Sequence, residues 1–187
     1  MTETSLHFRS MDNDDWGTPL DIVRRAAEFL GGEIELDPAS SFERNKVVGA
    51  KKWLGKADAR MTGIPEDWGN AKSLFINPPG GKQGSTNKTL AKVFFRKAVQ
   101  HCVDNEARFV WVAYNINQLQ TLQREYPEAL RSCFLCVPEK RVAYNNANGV
   151  PVAGAPGASA ILALSGLPDD RDRFCAIFGS LGATWLP

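Results

Sequence analysis

Asn77 leads two prolines and two glycines at the end of an apolar run, in "SLFINPPGGK" (73–82). Its side-chain amide oxygen and the carbonyl oxygen of Pro78 are both hydrogen-bond acceptors, and the rings of Pro78 and Pro79 fix where both point. Two rigid acceptors meeting at one spot suit an –NH2 group, which has two hydrogens to give. With both engaged, the nitrogen lone pair is drawn out of conjugation with its ring and can attack an electrophile such as a sulfonium methyl. No proton has to leave before that attack, so the chemistry calls for neither a histidine base nor a metal. The chain carries only two histidines, His7 and His101. The competing reading is structural: a proline-stiffened turn that Asn77 caps.

Asp37 and Pro38, in "ELDPASS" (35–41), form the other loop with chemical content. An acid at the end of an early strand in an open α/β sheet accepts hydrogen bonds from hydroxyl or ammonium groups of a ligand, and Pro38 stiffens the approach. The same aspartate also suits an Asx turn, bonding the amide two residues on. Sequence leaves both roles open.

The elements that must position these loops alternate. "WGTPLDIVRRAAEFLGG" (16–32) predicts a helix with Thr18 as N-cap, Pro19 in the first turn, and Gly31-Gly32 as its stop. A short strand is expected at 33–36, weak helical character at 42–55, and a strand at 73–76. A helix follows over 87–103, with Leu90, Val93, Phe94, Ala98 and Cys102 on one side. "RFVWVAY" (108–114) reads as a strand covered on both faces. A helix then stops near Pro127, strands are expected at 132–137 and 141–144, and another at 158–166. A terminal helix from Asp169 and a short strand at 183–186 close the chain. Helices alternating with apolar strands predict an α/β fold with a mostly parallel sheet and helices on both faces. Residues 1–15 lack apolar periodicity and read as a flexible arm, with 16–187 as a single domain.

Bulk properties set few limits. At 187 residues, 43% apolar and 23% charged, the chain has material for one core. A net charge of +1 neither advertises nucleic acid nor forbids it. No apolar run approaches the ~20 residues of a membrane span, and the polar N-terminus has no signal-peptide core, so a cytoplasmic protein is expected. Cys133 and Cys136 fall three apart in an expected strand, where side chains project from opposite faces, which argues for buried structural thiols over a zinc or redox pair.

Taken in order, "WGTP" (16–19), "LDPASS" with Asn45 (36–45), "DW" (67–68) and "FINPP" (75–79) resemble the phage-type, Dam-like DNA adenine-N6 methyltransferases. "VPEKRVAY" (137–144) is similar to their arginine-containing strand pair, and "GAPGASAILAL" (154–164) to their final hydrophobic strand. The resemblance covers roughly residues 16–165. It implies a Rossmann-like methyltransferase fold, S-adenosylmethionine as methyl donor, double-stranded DNA as partner, and a bacterial host cell as setting. It also implies that Asp37, with Pro38 and Asn45, lies at the cofactor, with Thr18 and Pro19 near the site. Asn77, Pro78 and Pro79 would face the target amine.

One position departs from the family pattern: the aromatic residue after Asn-Pro-Pro is Gly80 here. That ring stacks on a base flipped from the duplex, a contact worth ~1–3 kcal/mol per base. Phe94, Tyr114 and Tyr144 are the candidate replacements, and Gly80-Gly81 also allows close backbone approach to a ligand. The missing ring keeps two alternatives open: an amino-methyltransferase acting on N4 of cytosine or on a modified base or nucleotide, and a silent relic that only binds DNA or a partner. "GGKQGST" (80–86) lacks the spacing of a Walker loop, so Lys82 and Lys88 are expected on DNA phosphates. Lys140, Arg141 and Tyr144 are the other candidate DNA contacts, with solvated edge-strand charge as the competing reading for Lys140 and Arg141.

Overall fold

The computed structural model describes residues 16–55, 67–80, 89–146, 149–152 and 158–187. The expected N-terminal arm and the loop carrying Lys82 and Lys88 lie outside them. Thirteen elements follow one another: α1 (Leu20–Phe29), β1 (Leu36–Asp37), α2 (Phe42–Val48), β2 (Lys52–Trp53), β3 (Ser73–Ile76), α3 (Leu90–Asn105), β4 (Arg108–Ala113), α4 (Asn117–Glu125), α5 (Pro127–Arg131), β5 (Phe134–Pro138), β6 (Ala160–Leu164), α6 (Asp170–Phe178) and β7 (Gly182–Trp185).

The strands form one seven-stranded sheet in the order β2-β1-β3-β4-β6-β5-β7. Strands β2, β1, β3 and β4 are parallel, whereas β6 pairs antiparallel with both β4 and β5, and β7 pairs antiparallel with β5. The sheet is therefore mixed, parallel over its first half only, which corrects the expectation of a mostly parallel sheet. The cause is β6, which inserts between β4 and β5 and reverses direction.

Strand alternation divides the core into two layers. Phe75, Val110, Val112, Phe134, Ile161 and Ala163 face α1 and α6, where Phe29, Phe174 and Phe178 pack edge to face and tilted against one another. Leu74, Ile76, Phe109, Trp111 and Leu162 face the opposite way, toward α3 and α4, with Phe94, Phe95 and Leu122. Helices thus cover both faces. Cys136 belongs to the first layer and Cys133 to the second, so the two sulfurs point apart; burial pushes their thiols up to about 11 and about 12.

The amino edge of the sheet is a structural joint. Arg108, at the start of β4, donates to the carbonyls of Phe29 and Leu30 and pairs with buried Asp170 at 3.3 Å, so one guanidinium closes the end of α1 and the start of α6. Ser165 also donates to Asp170.

Several boundaries differ from the sequence expectation. Helix α1 starts one residue later than Thr18 predicts: Pro19 is the N-cap and its carbonyl accepts from Ile22 and Val23. The expected strand at 141–144 is irregular chain, and the next residue, Asn145, makes isolated bridges to Gly17 and to Pro151. Pro127 both ends α4 and opens the short helix α5, a first-turn position that tolerates its missing N–H.

Candidate functional site

Strands β1, β3 and β4 all point their carboxyl ends to one edge. There the chain order reverses, since β2 lies on one side of β1 and β3 on the other. A crevice at such a reversal is where open α/β sheets hold ligands. Asp37 ends β1 and Asn77 follows β3, so the two loops singled out by sequence flank that point.

The register fixes their relation. Leu36 pairs with Leu74, so Asn77 lies two residues further along the neighbouring strand than Asp37's own partner position. One strand spacing and a two-residue rise separate their Cα atoms by about 8 Å. Leu36, Leu74 and Ile76 belong to the α3-side layer, so alternation sends both Asp37 and Asn77 to the α1 side.

On that side Asn77 is held by a partner distant in sequence. Its Nδ2 donates to the carbonyl oxygen of Trp16 at 2.9 Å, across 61 residues. The bond orients the amide, and no described residue donates to its Oδ1. Asn77 therefore does not cap its own turn: one end of the amide is tethered and the acceptor end remains for another donor. Pro78 is buried and Pro79 half-buried, which holds the following carbonyls. The Trp16 strap is itself fastened, because Gly17 and Asn145 exchange two backbone bonds of 2.8 Å. A Cβ at Gly17 would meet the end of the Arg44 side chain, which would have to move aside.

Asp37 is 3% exposed. Its Oδ1 accepts from the Ala39 amide at 3.0 Å, the Asx turn that the sequence allowed. Burial dominates its ionisation and pushes the carboxyl up to about 7, with the Ala39 amide and the Ser40 side chain pulling the other way. The Ser40 side chain also hydrogen-bonds the carboxyl, so the turn itself holds it at the exit of β1. The loop is pinned from β2, with Leu54 donating to the Asp37 carbonyl and Ser40 donating to the Leu54 carbonyl, both at 2.9 Å.

Thr18 is 5% exposed and its Oγ1 has no hydrogen-bond partner among the described residues. A buried orphan hydroxyl costs roughly 1–3 kcal/mol, and a ligand that bonded to it would relieve that cost. Asn45 is placed differently from its expected role. Its amide spans Ala50, donating to the carbonyl at 3.1 Å and accepting from the amide at 2.9 Å. Both ends of that side chain serve the turn after α2.

A cleft of about 220 Å³ opens over the α3 side of the same edge, on the opposite side of the sheet from the Asn77 side chain. Pro79 and Gly80 form one wall, Tyr114 and Asn115 the end of β4, and Lys92 and Gln118 the flanks contributed by α3 and α4. Of the three rings proposed to replace the missing aromatic, Phe94 is 0% and Tyr144 1% exposed, both inside the core. Tyr144 donates to the Ser159 hydroxyl at 3.1 Å, and burial pushes its phenol up to about 12. Its expected DNA contact is thereby corrected: a ring enclosed in the α1-side layer presents no face to a duplex. Tyr114, half-buried, borders the cleft, but its side chain packs against the α1-side layer.

Lys140 and Arg141 follow β5, whose direction matches β4, and so stand exposed on the same edge, with Lys140 3.6 Å from Glu139. Among the described residues no group of three or more His, Cys, Asp or Glu side chains could hold a metal ion, and no helix is long and apolar enough to cross a membrane. What sequence reasoning missed is the Trp16 carbonyl, a backbone atom with no signature, and Gln118, an unremarkable helix glutamine.

A scan of the chain against protein-family models finds no match, and a search among curated proteins finds no match either.

Proposed function

We propose that the chain transfers a methyl group from S-adenosylmethionine to the exocyclic N6 amine of adenine in DNA, on a Rossmann-like methyltransferase fold. The observation that carries this reading is the Asn77 amide, tethered through Nδ2 to the Trp16 carbonyl with its oxygen left unspent, at the strand reversal. Asn77 Oδ1 and the Pro78 carbonyl then accept the two amine hydrogens. That localises the nitrogen lone pair and aims it away from the ring plane. The new N–C bond would form as the methyl–sulfur bond breaks, its electron pair staying on sulfur as a neutral thioether, and the nitrogen, now positively charged, would release one proton to water at the open edge.

The residues around Asp37 suit the donor. S-adenosylmethionine, when bound, supplies a methyl group activated by its sulfonium. A buried carboxyl with a raised pKa at the exit of β1 gains from an ammonium or hydroxyl of the donor, and the orphan Thr18 hydroxyl is an unfilled bond just before α1 in sequence. The cleft beside Gly80 is too small for that donor, since pockets for ligands of that size measure roughly 300–1,000 Å³. Lys140 and Arg141 add exposed positive charge on the same edge for phosphates.

The test is incubation of unmethylated DNA with the full chain and isotopically labelled S-adenosylmethionine, followed by nucleoside digestion. Labelled N6-methyladenine that disappears in Asn77→Ala supports the reading. Label in N4-methylcytosine would move the activity to the other amino base. No incorporation by the unaltered chain would reject transfer to DNA.

A further inference from the structure

We infer that Arg44, on α2, is a positioning residue for Asn77: its guanidinium fixes the backbone strap whose carbonyl aims the Asn77 amide. The consequence for catalysis rests on the methyl-transfer reading above, whereas the mechanical link does not.

That link runs through one peptide unit. Asn77 Nδ2 donates to the Trp16 carbonyl at 2.9 Å, and the N–H of the same peptide, that of Gly17, donates to the Asn145 carbonyl at 2.8 Å. A trans peptide is planar, with its C=O and N–H pointing opposite ways. The position of Asn145 therefore sets the direction in which the Trp16 carbonyl meets Asn77. Asn145 stands in a narrow return of the chain, where Val152 donates to the Tyr144 carbonyl and Asn146 to the Val150 carbonyl, both at 2.9 Å. Arg44 reaches this return from α2. Its Nη1 donates to the Asn146 carbonyl at 3.3 Å, and its guanidinium lies against Gly17, where an added Cβ would stand 2.1 Å from Nη1. One side chain thus braces both sides of the strap.

The lever behind Arg44 is short and fixed at both ends. Helix α2 has seven residues, Ser41 accepts from the Arg44 amide at its start, and the Asn45 side chain clamps Ala50 beyond its end. Such a helix passes a displacement on instead of absorbing it. An acceptor used in catalysis has to be held to within about 0.5 Å, and a misplacement of about 1 Å can cost roughly a hundredfold in rate. The competing role for Arg44 is a plain staple that adds stability and leaves Asn77 untouched.

Nuclear magnetic resonance of the 15N-labelled full chain separates the two, with the Asn77 Nδ2H2 signals assigned by their loss in Asn77→Ala. Arg44→Met keeps the aliphatic stem and removes the donor. Hydrogen exchange of the bonded Nδ2 proton should quicken about tenfold in that variant, the loss of about one hydrogen bond. Arg44→Lys, which keeps a donor for the Asn146 carbonyl, should stay near the unaltered rate. Gly17→Ala acts from the other side: its Cβ displaces the guanidinium, so the same proton should exchange faster, with nothing added in the Arg44→Met background. It also keeps the test open if Arg44→Met folds poorly. Unchanged exchange in both Arg44→Met and Gly17→Ala, equal quickening in Arg44→Lys, or additive effects in the double variant would each overturn the inference. Methyl transfer is scored separately, and kcat should fall roughly tenfold to a hundredfold in Arg44→Met with KM for DNA unchanged. An active chain whose kcat ignores Arg44→Met would also overturn the inference. A chain that shows the exchange pattern but incorporates no label would lose the methyl-transfer reading and keep Arg44 as the residue that orients Asn77.

Discussion

The Asp37 carboxyl and the Asn77 amide project from the same face of the sheet, at the exits of two adjacent parallel strands. One is buried and bonded within its own turn, and the other is tethered with its acceptor free. A ligand spanning about 8 Å along that edge would touch both. The predictions below separate what each contributes.

Asn77→Ala removes an acceptor that the reaction uses only when charge shifts onto the amine. Loss of one such preorganised group typically costs about 10²–10³ in kcat. Its stability cost should be small, about 1 kcal/mol, because one hydrogen bond to Trp16 is lost at a half-buried position. Labelled methyl transfer and thermal melting of the same preparation check both. A large drop in melting temperature would instead assign Asn77 to holding the strap.

Asp37 should give the protein a pH signature. Burial raises its carboxyl from an ordinary 3.8 to about 7, so the folded chain keeps a proton that the unfolded chain has released. The stability this proton contributes is complete below the unfolded value and is lost as pH rises through about 7. Asp37→Asn, neutral at every pH, should therefore melt higher than the unaltered chain at pH 8 and close to it at pH 4. Donor affinity should run the opposite way. An ionised carboxylate binds an ammonium or hydroxyl best, so affinity should rise by up to roughly tenfold per unit as pH climbs from 6 toward 7, and flatten in Asp37→Asn. Calorimetry at several pH values reads this directly.

How far the sequence disclosed these features depends on their length and reach. Strands β3, β4 and β6 are apolar runs buried on both faces, and α3 has a clear stripe, so local pattern was enough to find them. Strand β2 is two residues, Lys52 and Trp53, too short to show alternation. The reversed β6 depends on pairing across distant segments, which no local pattern encodes. The same holds for Tyr144: at 141–146 the alternation of exposed and buried residues imitates a strand, whereas the chain there is a strap against Gly17. Asn77 and Asp37 were legible as chemistry because proline fixes their loops. The Trp16 tether was not, because a backbone carbonyl looks alike at every residue.

Asn45 offers a control on that reading. Its amide is fully used by Ala50, so Asn45→Ala should lower stability by roughly 1–2 kcal/mol, or about 2–8 °C in a chain of this size. Any effect on donor affinity should follow that loss of stability and vanish at low temperature, where the turn remains folded. A strong affinity defect with unchanged melting would return Asn45 to the ligand.

Gly55 sits at φ +144°, and a Cβ there would run into the backbone carbonyl of Ser40. Gly55→Ala therefore has to push the 38–41 loop away from β2 and strain its own backbone, at a cost of order 1–3 kcal/mol or more. The displaced loop is the one that carries the Asp37 turn. Donor binding should weaken along with stability, and amide hydrogen exchange should quicken at Ala39 and Leu54, whose N–H groups form the joint. Unchanged exchange at those two amides would show that the loop does not depend on the contact.

Thr18 separates folding from binding most cleanly. Its hydroxyl is buried without a partner among the described residues, so the folded chain carries an uncompensated desolvation cost. Thr18→Val keeps the shape and removes the oxygen. Without ligand, the variant should be more stable, by about 1 kcal/mol and hence about 2–4 °C. If the hydroxyl is kept for S-adenosylmethionine, the same variant should bind it about tenfold less tightly, and the stabilisation that the ligand confers on melting should shrink. Thr18→Ser, with the oxygen retained, should bind as the unaltered chain does. Stability and affinity moving in opposite directions is the signature of a group held at a cost for a ligand. A gain in stability with no loss of affinity would leave the hydroxyl as a packing defect at the entrance to α1.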